Sequence, residues 1–182
     1  MHLMTTNSVL EQWLEEEKFA LQKLSEGKGP GVATLDKLAS LTGLEQMQCM
    51  LIGEIPHASM GSTVGFFMVQ VSDGHAVVQG APDQSHLNPM GTVHGGWFAT
   101  LLDTAMGCAT HTKMPLGRAY TTTEMSVKLV KAITPQVGRV RAIGQVLHCG
   151  RQLATSEAKL VGPDGTLYAH ATSTCLIFDL KK

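Results

Sequence analysis

The sequence predicts an α+β fold in which an antiparallel sheet wraps one long apolar helix, with a helical extension in front. Two observations carry that prediction. Two extended segments precede a single long helical stretch and four follow it, an order typical of helix-on-sheet layers. In addition, 182 residues with 43% hydrophobic content can bury one substantial core without staples.

The elements follow in order. Ser8-Val9-Leu10-Glu11 has the form of a capping box, and Val9, Leu10, Trp13, Leu14, Ala20, Leu21 and Leu24 recur at helical spacing until Gly27 and Gly29-Pro30. A second helical region begins near Thr34, and Thr42-Gly43-Leu44-Glu45 caps a further helix through Met47, Met50 and Leu51, ended by Gly53 and Pro56. Residues 1–56 therefore read as a helical extension and 57–182 as the main domain. Extended segments run from Thr63 to Ser72 and from His75 to Ala81, turned by Asp73-Gly74. After the long helix, Ala119 to Val130, Val137 to Leu147, Leu153 to Val161 and Thr166 to Phe178 are β-branched and alternating, with Pro163-Asp164-Gly165 turning the last pair.

The most informative stretch is Asn88-Pro89-Met90-Gly91-Thr92-Val93-His94-Gly95-Gly96, which enters the long helix. Glycines at a helix start let a ligand carbonyl approach free N–H groups where the helix dipole favours negative charge. Along that helix Trp97, Phe98, Leu101, Leu102, Ala105 and Met106 share one apolar face. Asp103 projects from the other side, in line with Gly96, Ala99, Thr100 and Gly107, so a carboxylate stands in a strip of small residues. The plainer alternative is a tight Gly-Gly turn with a solvated acid.

These residues resemble the PaaI-type branch of the hotdog-fold acyl-CoA thioesterases, related to the 4-hydroxybenzoyl-CoA thioesterases. The family pattern is an Asn six positions before His-Gly-Gly and a carboxylate nine positions after that His, and Asn88, His94-Gly95-Gly96 and Asp103 match it. Tyr120-Thr121-Thr122-Thr123-Glu124-Met125, Gly150-Arg151-Gln152 and Tyr168-Ala169-His170-Ala171-Thr172 resemble later family segments, so the resemblance covers residues 60–179.

The resemblance implies a hotdog fold and hydrolysis of an acyl- or aryl-CoA thioester. Asp103 would activate water or attack the carbonyl itself, and Gly95 would hold the oxyanion through its N–H. Thr122 would fix the attacking water, with Thr123 as the alternative. Gly96 and Thr123 would contact substrate, and Arg151, with Arg118 and Lys131 as weaker candidates, would meet a coenzyme A phosphate or simply face solvent. His94 reads equally as a structural cap or a catalytic group. Asn88 reads as a holder of water or of the Asp103 carboxylate, or as a plain Asn-Pro turn. Family habit places the site between subunits of a dimer or tetramer, with Asn88 and His94-Gly95 from one chain and Asp103 from its neighbour. Trp97, Phe98, Met106 and Met125 would line an apolar pocket or pack a core.

Composition narrows the field. Cys49, Cys108, Cys149 and Cys175 form no CxxC pair, and the histidines (His2, His57, His75, His86, His111, His148 and His170 besides His94) share no ligand spacing, so no metal, cofactor or disulfide framework is expected. Cys108, though on the helix of Asp103, reads as packing rather than as a nucleophile. The N-terminus lacks a signal-peptide pattern and no long apolar run occurs, which predicts a soluble cytoplasmic protein without a membrane partner. The net charge of -1 divides into -4 over residues 1–56, with four Lys/Arg against eight Asp/Glu, and +3 over residues 57–182. The mildly basic part suits an anionic CoA ester. An acyl-CoA sensor with DNA-binding N-terminal helices is disfavoured because nucleic-acid affinity needs Lys and Arg there. A hotdog dehydratase or hydratase is the other alternative, but its spacing of histidine and carboxylate is absent.

Overall fold

The computed structural model describes residues 6–180. His2 and the rest of the N-terminal segment read above for a leader, with Lys181 and Lys182 of the +3 balance, lie outside the described residues. The elements run α1 (Thr6–Glu26), α2 (Leu35–Ala39), α3 (Gly43–Leu51), α4 (Ser59–Val64), β1 (Phe66–Ser72), β2 (His75–Gly80), α5 (Gly95–His111), β3 (Arg118–Leu129), β4 (Val140–Cys149), β5 (Leu153–Val161) and β6 (Leu167–Asp179). The strands form one antiparallel sheet in the order β1-β2-β4-β5-β6-β3, and α5 crosses its inner face. The α+β arrangement is the one expected.

Local chemistry explains most boundaries, and three expectations need correction. Ser8 is not a cap, because α1 is already helical at Thr6. The segment expected to be extended from Thr63 starts instead as the short helix α4, closed by Gly65 in the left-handed region (φ 72°), where a side chain would be strained. Val137 lies in a 3₁₀ turn, Pro135–Val137, because proline suits a helical first turn and has no N–H for a ladder; β4 starts only at Val140. The box at Thr42 does form. Its hydroxyl accepts from the Glu45 N–H, and the Glu45 carboxylate accepts from the Thr42 N–H at 2.7 Å.

The core is the contact of α5 with the sheet. Phe98, Leu101, Leu102, Ala105 and Met106 pack against Val78, Val140, Ala142, Ala158, Leu160 and Ala169. Burying a large apolar side chain fully stabilises by about 1.5–3 kcal/mol. The helix approaches β4 so closely that a Cβ on Gly144 would lie 2.3 Å from the backbone oxygen of Ala105.

Helix α1 of the extension packs on the opposite face of the same sheet. Strand alternation sends Val78 and Gly80 towards α5 and Val77 and Gln79 outwards, where α1 covers them, so Ala76 to Gly80 of β2 are buried throughout. Charge anchors the contact. The Arg139 guanidinium donates two hydrogen bonds to Glu17, at 2.7 and 2.9 Å, and holds its carboxyl below the usual range. Arg141 pairs with Glu16 at 2.8 Å, donates to Gln79 at 2.6 Å and lies 4.5 Å from the Trp13 ring centre. At the other end of α5, Gly43 donates its N–H to Met114, and Gln46 hydrogen-bonds His111 at 2.8 Å. The acidic face of α1 is therefore matched by basic residues at the start of β4 and just before it. Among the described residues, no helix is long and apolar enough to cross a membrane.

Gly144→Ala is expected to force α5 off the sheet and cost about 3 kcal/mol, read as a lower urea midpoint; an unchanged midpoint would show that the close approach is not needed.

Candidate active site

Two groups of candidate residues sit on α5, one at its start and one two turns further on. At the start, His94 is the N-cap, and its Nδ1 accepts from the Gly96 N–H at 2.9 Å. That bond requires an unprotonated Nδ1, which leaves the neutral ring its proton on Nε2. Gly96 thus has its N–H engaged. The Gly95 N–H has no partner among the described residues, and Leu129 covers the site: a Cβ on Gly95 would meet its Cδ1 at 3.0 Å. A hollow of about 300 Å³ adjoins this turn, lined by Val64, His86, His94, Gly96, Trp97 and Thr100.

Asn88 lies just upstream and closes its own turn. Its Oδ1 accepts from the Met90 N–H, its Nδ2 donates to Thr92 Oγ1, both at 2.8 Å, and its backbone N–H donates to the Thr92 carbonyl. Leu87 and Val93 bridge across it, so the loop delivers the chain to the helix start in a set direction.

Asp103 heads the second group. Thr122 Oγ1 on β3 lies 3.5 Å from its Oδ1. Thr122 and not Thr123 faces the acid because β3 carries a bulge: Thr122 pairs with Cys175 and Glu124 with Thr174, leaving Thr123 to donate its hydroxyl to the Thr174 carbonyl at 3.0 Å. Burial raises the Asp103 carboxyl above the usual aspartate range, and the Thr122 hydrogen bond opposes this only in part.

Sequence reasoning missed Tyr120. Its hydroxyl lies against Gly107, where a Cβ would come within 2.6 Å of it, and its ring lies 5.8 Å from the His111 ring. Burial, then the charges of Cys108, Cys175 and Asp103, push its phenol well up, so it is a neutral neighbour of the acid. The signal available was Gly107 in the helix interior, a position that admits an aromatic from the next layer. Burial, aided by the Asp103 charge, pushes the Cys108 thiol up to about 12, which leaves no thiolate for nucleophilic attack.

Along one helix the two groups cannot meet. Eight residues separate Gly95 from Asp103, about 12 Å at 1.5 Å per residue. Arg151 touches neither; it sits on the β4–β5 turn with its carbonyl accepting from Arg118, which also pairs with Asp179. Lys131 lies over the Tyr168 ring at 5.8 Å. Phe98 and Met106 are core side chains, and Trp97, itself buried, also borders the hollow. Among the described residues, no three His, Cys, Asp or Glu side chains are grouped to hold a metal ion.

A family model described as the thioesterase superfamily matches residues 90–169, the span that holds both groups on α5. Over that span the chain is similar to the thioesterase superfamily, and its antiparallel sheet around one long helix is the hotdog fold. A conserved protein of Pseudomonas aeruginosa is 29% identical with a TM-score of 0.63, the match covering 67% of this chain and 95% of that one. A point mutant of the phenylacetic acid degradation protein PaaI from Thermus thermophilus is 27% identical, TM-score 0.59, covering 64% and 96%. A hypothetical thioesterase from Streptococcus pneumoniae, in a structure with coenzyme A, is 25% identical, TM-score 0.58, covering 65% and 89%. No curated protein matches the chain. Each structural match leaves about a third of this chain unpaired, and the thioesterase-family model starts after α1 to α4, β1 and β2.

The raised Asp103 carboxyl has a thermodynamic consequence for folding. A group whose folded pKa exceeds its unfolded one costs stability when ionised, and the cost fades as pH falls through the folded value towards the unfolded one. Asp103→Asn is therefore expected to melt higher than the native chain at neutral pH, the gap closing as pH falls into the ordinary aspartate range. A lower melting temperature for the variant at neutral pH would contradict the desolvation account.

Proposed function

We propose that the protein hydrolyses an acyl- or aryl-CoA thioester to the free acid and CoA, at sites completed by two copies of the chain. The observation that carries this reading is the pairing of an unengaged N–H on Gly95, at the start of a long helix, with a desolvated carboxylate at Asp103. The thioesterase-superfamily match and the coenzyme A found with the pneumococcal relative support it.

The chemistry follows from the parts. Asp103 takes a proton from a water that Thr122 helps to hold, and the hydroxide adds to the thioester carbonyl. Negative charge gathers on the carbonyl oxygen, where the Gly95 N–H donates and the helix dipole is favourable. The carbon–sulfur bond then breaks, and the CoA thiolate leaves without needing a strong general acid. A carboxylate whose proton affinity is raised by burial suits proton abstraction better than nucleophilic attack. His94 holds the turn by capping it, and Asn88 shapes the loop that precedes it.

The 12 Å between Gly95 and Asp103, about eight helical rises, makes a second copy necessary: one chain supplies the N–H, the other the acid. β3 supports such an association. It is a terminal strand of the sheet, twelve residues long, with Thr121 to Met125 exposed, and an uncovered edge of this length is a ready template for pairing.

Thiol release from a panel of CoA thioesters tests the reading. Asp103→Ala is expected to lower kcat by about 10²–10⁴-fold, and the acid limb of the native rate profile should lie above the ordinary aspartate range. Gly95→Pro removes the N–H, with Gly95→Ala as the control for the added Cβ, which meets Leu129 Cδ1 at 3.0 Å. Proline is accommodated at a first helical position, and His94, at ψ 136°, already has the conformation that a following proline requires. This variant should fold and lose about 10²–10³-fold in kcat. Mixing the two inactive variants under subunit exchange should restore part of the activity; no recovery, with exchange demonstrated by mass spectrometry, would refute a site shared between copies.

A further inference from the structure

The extension and α5 enclose an apolar cavity of about 50 Å³, lined chiefly by Leu24 of α1, Met50 and Leu51 of α3, Phe66 and Met68 of β1, and Cys108 of α5. It adjoins a hollow of about 440 Å³ that shares Leu24, His57, Gly61, Phe66 and Phe67 with it and lies between α1 and α4. The inner end belongs to the helix of the acid. Thr104, the residue after Asp103, is part of the wall, and Cys108 stands one turn further, close enough for its thiol to feel the Asp103 charge.

We propose that the cavity and the hollow form a channel for the tail of an unbranched aliphatic acyl group, so that α1 and α3 set the chain length this protein accepts. The proposal rests on the thioesterase reading and names the substrate class for it.

Volume favours the class. A dry cavity that takes up benzene measures about 150 Å³, three times the volume enclosed here, so the cavity has no room for a ring, and an unbranched chain asks the least displacement of its walls. The walls also adapt to a chain: Met50 and Met68 are unbranched and polarizable, and shift more easily than rigid side chains. The wall is mostly apolar: the Thr104 hydroxyl is spent on the Thr100 carbonyl at 2.7 Å, and the polar atom left over is His57 Nδ1, buried without a hydrogen-bond partner among the described residues. Burial also lowers the proton affinity of His57, so the wall carries no charge. Apart from Thr104 and Cys108, every lining residue of the cavity precedes residue 90, where the family match begins. Leu24 of α1 and Met50 and Leu51 of α3, which come from the N-terminal extension, close the wall on one side.

The experiment compares the native chain with Met50→Trp, which fills the channel, and Met50→Ala, which widens it. Hydrolysis is measured from acetyl-CoA to palmitoyl-CoA, and binding of non-hydrolysable alkyl-CoA thioethers, methyl to dodecyl, is measured by calorimetry. Native affinity should rise about fourfold per methylene that enters the channel. Met50→Trp should end that rise at a shorter chain, and Met50→Ala should extend it. Identical chain-length profiles in all three proteins would overturn the channel, as would a phenylalkyl thioether binding the native protein more tightly than an alkyl one of equal carbon number. Chain-length-dependent binding without hydrolysis of any thioester would uphold the channel and remove the thioesterase reading, whereas hydrolysis with a profile indifferent to Met50 would do the reverse.

Discussion

The close contact between α5 and the sheet is the constraint on which the rest of the molecule depends. Gly144 lets β4 touch the helix backbone at Ala105, and Gly107 lets Tyr120 of β3 lie against the helix. Together these two contacts seat α5 closely against β4 and β3. Asp103 is then held beside Thr122, and its burial is what raises its proton affinity. The raised proton affinity of Asp103 is thus a by-product of how tightly the helix is seated.

The start of the same helix is prepared by a different principle. A helix leaves its first N–H groups without intrahelical partners, and the polar groups around this start determine which of them stays open. His94 takes the Gly96 N–H, while the Asn88 side chain spends itself on Met90 and Thr92. Gly95 is left over. An open donor at the positive end of the helix is costly to leave unpaired unless water or a ligand meets it, and this is consistent with a turn shaped for a carbonyl oxygen.

The N-terminal helices are more than a cover. α1 turns β2 into a strand buried on both faces, and its acidic side chains meet Arg139 and Arg141, which would otherwise leave charge on the outer face of the sheet. Buried ion pairs add little net stability but strongly penalise misalignment, so this network fixes where α1 lies. Through α3 and Gln46 the extension also reaches His111, at the end of α5. Its placement therefore bears on the helix that carries the acid, and on the shape of the cavity between them.

How much of this was legible beforehand depends on the range of the interactions involved. The order of strands and helix, the apolar face of α5, the cap at Thr42 and the spacing of Asn88, His94-Gly95-Gly96 and Asp103 are local patterns, written within a few turns or strand lengths of sequence. They determined the fold class and the candidate residues. Other features arise from contacts between distant segments, which no local pattern encodes. The β3 bulge selects Thr122 over Thr123 because β6 sets the register. Gly95, and not Gly96, keeps a free N–H because a ring nitrogen reaches only one of them. Tyr120 enters the site because Gly107 makes space for it across layers, and the short helix α4 replaces an expected strand start where Gly65 reverses the chain. Composition and periodicity decided which residues were available; only packing in three dimensions decided which of them meet, because desolvation and hydrogen-bond partnership exist only once the layers are assembled.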